Sequence, residues 1–119
     1  MSADILRRAA SLMRERADAA TVSPWVANGT RVDADMIKAV ADCYDEPRAS
    51  RADAAHIASW HPAVALAVAD WLHTAAADIW AHGPLCECGT GCDACDDNLW
   101  EPHARDALTV ARTYLGEAS

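Results

Sequence analysis

Four of the five cysteines of this chain fall within ten residues. They are Cys86, Cys88, Cys92 and Cys95, spaced C-x-C-x3-C-x2-C. A zinc ion takes four thiolate or imidazole ligands in a tetrahedron. The C-x2-C pair offers two thiolates from one tight turn, and C-x-C offers two more from an extended segment. Gly89 and Gly91 let the connecting backbone bend where a Cβ would clash. Four soft donors this close predict a metal site, with Zn2+ as the default ion. A closed four-cysteine site is structural, because catalytic zinc keeps a position open for water.

Other chemistry remains open at these residues. A disulfide knot needs an oxidising compartment and would leave Cys43 over. A thioredoxin-like centre would use Cys92 and Cys95 alone, but no βαβ pattern surrounds them. Four thiolates can hold an iron–sulfur cluster, though this spacing matches none of the usual ferredoxin patterns. His82 and His103 flank the loop, and either is a possible substitute for one cysteine. A zinc enzyme would need one cysteine off the metal and a bound water near His82, His103 or Asp97.

Elsewhere the chemical signals are thin, and no catalytic residue is assigned. Ser23, Ser50 and Ser59 sit in no nucleophile elbow, and no phosphate-binding glycine loop is present. His56 and His61, five apart, suit one helical face poorly. Asp93, Asp96 and Asp97 lack the order of a calcium-binding loop. His73 and Cys43 read as packing residues.

The elements that must position the cysteine loop are predominantly helical. Ile5, Leu6, Ala9, Leu12, Met13 and Ala20 share one face of a helix from about Ala3 to Ala20. Arg16 falls inside that apolar arc. Asn28-Gly29 predicts a hairpin turn between strands Trp25–Ala27 and Thr30–Val32. A third strand, or a short helix, fits Asp35 to Asp45. A short helix follows near Ser50 to Ser59. The central helix covers His61 to Trp80, with Pro62 at a first helical position. Its main apolar face is Val64, Val68, Trp71, Leu72, Ala75 and Ile79. A second apolar edge carries Leu66, His73, Ala77 and Trp80, so this helix is buried on both sides or meets a partner. The last helix opens at Pro102, continues to about Leu115 and stops at Gly116. The expected fold is therefore α+β and helix-dominated. Three main helices carry a small β-hairpin or sheet, and a zinc knuckle at about 82–100 joins the last two. Residues 1–119 are expected to form a single domain.

Charge narrows the partners. Residues 1–51 carry eight Lys/Arg and eight Asp/Glu, which cancel. Residues 52–119 carry two Arg and ten Asp/Glu, which accounts for the net −8. Binding to phosphate backbones needs clustered Lys/Arg, so nucleic acid is an unfavoured partner. A basic protein partner, or a nucleic-acid-binding enzyme engaged by an acidic surface that mimics DNA, suits the balance better. No apolar run approaches the roughly 18 residues of a membrane span, and the charged N-terminal helix resembles no signal peptide. A cytoplasmic protein is expected.

"DAAHIASWHPAVALAVADWL" (Asp53 to Leu72) carries a resemblance. It is similar to a segment of small Ead-like accessory proteins of bacteriophages, especially those of actinobacterial phages. The matching positions are Ala54, Ile57, Ala58, Pro62, Leu66, Ala67 and Leu72. In that family an Ala/Arg-rich helix leads into a "TPGPW"-like turn. Here "ATVSPW" keeps Pro24 and Trp25 of it, and "LTVARTYLGE" (Leu108 to Glu117) resembles the family's close. The resemblance covers about half the chain in patches and implies expression in a host bacterial cytoplasm. It implies no activity, and the cysteine loop stands on its own spacing. The leading expectation is a zinc-stabilised, non-enzymatic accessory protein that binds a host protein, with Trp60, Trp80 and Trp100 as candidate anchors. A homodimer is a further expectation for the broad apolar face. The alternatives are a zinc-containing nucleic-acid-associated regulator and a small zinc enzyme.

Overall fold

The computed structural model describes residues 2–21, 24–34, 38–43, 47–86 and 100–117. Among them are four helices and one three-stranded antiparallel sheet, so the fold is α+β and helix-dominated. The elements are α1 (Ser2–Ala19), β1 (Trp25–Asn28), β2 (Arg31–Ala34), β3 (Lys38–Asp42), α2 (Pro47–Ser59), α3 (Pro62–His82) and α4 (Glu101–Leu115). Beside the three main helices, the short helix expected near Ser50 to Ser59 is α2, which has 13 residues and begins three residues earlier. It starts at Pro47 because a proline is pre-set for a first helical position and has no N–H to leave unpaired. The chain falls into two compact units, Met1–Met13 with Val68–Ser119, and Arg14–Ala67.

In the Arg14–Ala67 unit the strands run in the order β1-β2-β3. The hairpin register pairs Asn28 with Arg31, so the two-residue loop is Gly29-Thr30, one residue later than Asn28-Gly29 would place it. Gly29 takes the first loop position at φ 66, which a residue without a Cβ adopts readily. Asn28 is thereby kept in the strand, where its amide donates to Asp33 Oδ2 at 3.2 Å. The third strand is present over Lys38–Asp42, the flanking residues 35–37 and 44–45 of the expected span lying outside the described residues, and an irregularity at Val32/Asp33 shifts its register. Fully buried Val32 meets Ala54 and buried Ala58 of α2, with Trp25, Val40, Cys43 and Ile57 packed around them. Alanines on the inner side of α2 let the helix approach the sheet closely. The Trp25 indole N–H donates to the Thr21 carbonyl at 2.9 Å, which gives the polar edge of the half-buried ring a partner.

α2 and α3 are separated at Trp60 and His61. The Ser59 hydroxyl turns back to the His56 carbonyl at 2.6 Å. The His61 carbonyl then accepts from Val64 and Ala65 N–H at 2.9 and 3.2 Å, which starts α3 with Pro62 in its first turn.

The other unit is a packing of helix on helix. Its core joins Leu6, Ala9, Ala10 and Met13 of α1 to Ala69, Leu72, Ala75, Ala76 and Ile79 of α3 and to Ala104, Ala107, Leu108 and Ala111 of α4. Eight of these thirteen residues are alanine, so helix backbones come close while Leu6 and Leu72 fill the gaps between them. Each fully buried leucine contributes about 2 kcal/mol of apolar transfer. Trp71, Leu85 and Trp100 pack at the border of this core. An ion pair from Arg8 to Glu117 holds the segment after α4 to α1. Arg16 is exposed, which accounts for its place in the apolar arc without a buried charge. No helix of the described residues is long and apolar enough to cross a membrane.

Candidate metal centre

α3 ends at His82 and α4 begins at Glu101, so these two helices frame the cysteine loop. Of the four clustered cysteines, Cys86 lies among the described residues, and Cys88, Cys92 and Cys95 lie outside them. Asp93, Asp96 and Asp97 lie outside them as well. Among the described residues no three His, Cys, Asp or Glu side chains are grouped as a metal site.

Two contacts pin the base of the loop. The His82 ring stacks on Trp100 with centroids 5.1 Å apart and planes 16° from parallel. The backbone N–H of Cys86 donates to Glu101 Oε1 at 3.1 Å. Both contacts join a residue leaving α3 to one entering α4. They bring the first cysteine of the motif beside the first turn of α4, where a carboxylate also meets the positive end of the helix dipole. Gly83 permits this exit from α3 through its φ of 102.

Glu101 is 4% exposed, which is unusual for a carboxylate. Its Oε2 is buried and has no hydrogen-bond partner among the described residues. Burying an unsatisfied polar oxygen costs about 1–3 kcal/mol, and more when the group is charged. Glu101 and Cys86 both line a cleft of about 470 Å³ whose walls also include Leu85, Arg105 and Arg112. These are the two arginines of residues 52–119.

The two flanking histidines are placed differently. His103 is engaged at both ring nitrogens. Trp71 Nε1 donates to His103 Nδ1 at 3.3 Å, and His103 Nε2 lies 2.7 Å from Asp78 Oδ2. An indole N–H can only donate, so Nδ1 accepts and the proton sits on Nε2, facing the carboxylate. This arrangement ties α4 to α3 within the helical unit. His82 is held face-on by Trp100, at the mouth of the loop.

Sequence reasoning missed Glu101. A carboxylate just before Pro102 reads as an ordinary first-turn acid, and only its depth distinguishes it. Of the candidate anchors, Trp60 and Trp80 are 53% and 80% exposed. Trp100 is half-buried in its stack on His82. On the second apolar edge of α3, Ala77 and Trp80 are exposed and His73 is half-buried. Comparison with protein-family models, with characterised proteins and with solved structures gave no match.

Proposed function

We propose that this chain is a non-enzymatic accessory protein, stapled by zinc through its cysteine loop, that binds a host protein through the second edge of α3. The observation that carries this reading is Trp80, a large aromatic left 80% exposed beside exposed Ala77. Exposed aromatics of this kind dominate binding energies when a partner desolvates them. The surplus of acidic over basic residues beyond residue 52 favours a basic partner and speeds encounter with it. The likeness to Ead-like phage proteins supports a role in host takeover or defence modulation. Zinc, bound by thiolates from the set Cys86, Cys88, Cys92 and Cys95, would clasp α3 to α4 and so fix the helix that presents Trp80.

Affinity capture from the cytoplasm of a bacterial host tests the reading. The full chain is the bait, compared with Trp80→Ala. A specific basic protein retained by the wild type, with retention reduced at least about tenfold in the variant, is expected for the loss of an interface anchor. Capture of nothing above background, or equal retention by both baits, would contradict it.

A further inference from the structure

The cleft along α4 carries charge of both signs. Its charged residues are Glu101, Arg105, Arg112 and Glu117, and Leu85 and Leu108 give it apolar wall. Glu117 is committed to its ion pair with Arg8. Arg112 is half-buried, and its guanidinium makes no ion pair or hydrogen bond among the described residues. At the other end Glu101 is 4% exposed and accepts the Cys86 N–H through Oε1 at 3.1 Å. Its Oε2 is buried without a partner among the described residues. One cleft thus holds an acid with an unused acceptor and a cation with unused donors. A ligand that brings one charge of each sign satisfies both. Arg105, one turn from Glu101, disfavours a ligand that brings positive charge alone.

Spacing sets the length of such a ligand. Glu101 and Arg112 lie on the same wall of α4, about 16 Å apart along the helix axis. Long helical side chains lean toward the N-terminus, which carries the Arg112 head back toward Glu101. The span left is about 10 Å, the reach of three extended residues. Thr109 stands between the two on that wall. Its hydroxyl donates to the Arg105 carbonyl at 3.3 Å, so its oxygen keeps lone pairs for an amide N–H. A volume of about 470 Å³ accommodates a molecule of this size.

We propose that this cleft binds a short peptide as a zwitterion, its N-terminal ammonium on the Glu101 carboxylate and its C-terminal carboxylate on Arg112. The last torsion of a glutamate is soft, so the carboxylate turns Oε2 to the arriving ammonium while the side chain stays in place. The planar guanidinium suits a carboxylate with two parallel bonds. The site is built from α4 and the segment after α3, so it stands independently of the protein partner assigned to Trp80.

Nuclear magnetic resonance titration of the labelled full chain, purified with zinc present, tests the proposal. The probes are trialanine, N-acetyl-trialanine and trialanine amide. Trialanine should bind saturably and shift the signals of α4 residues along the cleft. Removing either ligand charge should weaken binding by about tenfold, the loss of one charge-assisted hydrogen-bonded pair. In Arg112→Ala the free acid and the amide should bind equally, while acetylation still weakens binding. In Glu101→Gln the acetylated and free peptides should bind equally. No saturable binding of trialanine to the wild type would overturn the proposal. Binding indifferent to both terminal charges would overturn it too, since the cleft would then take only apolar surface. So would an Arg112→Ala variant that still prefers the free acid. Circular dichroism reports whether Glu101→Gln folds, and the wild-type and Arg112→Ala titrations decide if it does not.

Discussion

Asp33 shows how one residue is held. It is 8% exposed, yet Arg31 meets it with two bonds, Nε to Oδ1 at 2.9 Å and Nη2 to Oδ2 at 3.2 Å. Asn28 adds a third donor to Oδ2. The Arg31 hydrogen bonds first, then Asn28, hold its carboxyl below the ordinary value of 3.8, against burial, which raises it. A carboxyl whose folded pKa is depressed stabilises the fold at pH values above its unfolded pKa. That contribution fades as pH falls from about the unfolded value through the folded one. Titration of Asp33 followed by NMR should therefore give a midpoint below 3.8 in the wild type. In Arg31→Ala the midpoint should rise, and an unchanged midpoint would contradict the assigned cause. The residue scale is also where sequence reading is weakest. Nothing in "WEPH" distinguishes Glu101 from a solvated helix-start acid, because depth arises from how α3 and α4 meet. His103 is legible in the sequence as a histidine flanking the cysteine loop, but Asp78 and Trp71 as its partners are not. They come from another helix, more than twenty residues away.

At the scale of elements, local rules carried further. The helical periodicity of residues 3–20, Pro62 at the start of α3 and Gly116 at the end of α4 each place a helix within two or three residues of where it lies. Gly116 has φ 76, and its N–H bonds the Thr113 carbonyl while Glu117 N–H bonds that of Arg112. This pair of bonds closes the last turn of α4 and satisfies carbonyls that a helix end leaves open. A Cβ at Gly116 would meet no atom within 4 Å, so its cost is backbone strain alone. Gly116→Ala should destabilise the protein by about 1 kcal/mol, the usual penalty for an L-residue in left-handed conformation. Thermal or urea unfolding measures it, and a neutral or stabilising effect would contradict the cap. The hairpin shows the limit of local rules. Asn-Gly marks the turn correctly, but register depends on partners across the hairpin. Here the Asn28–Asp33 bond accompanies a loop displaced by one residue.

For the whole molecule, composition was a fair guide to class. Alanine is abundant and phenylalanine absent, a composition that suits closely packed helices, and the thirteen-residue core of the helical unit has that character. What composition cannot supply is the partner of an exposed tryptophan, since exposure on one surface says nothing of the other. The central claim is that the cysteine loop binds one zinc and that this metal is part of the fold. Native mass spectrometry of the full chain, purified with zinc present, tests it most directly. The account expects a mass equal to the reduced chain plus one zinc ion, with the metal lost and the charge-state distribution broadened when a strong chelator is added. A mass equal to the bare chain, or about 2 Da lower for each disulfide formed, would contradict it.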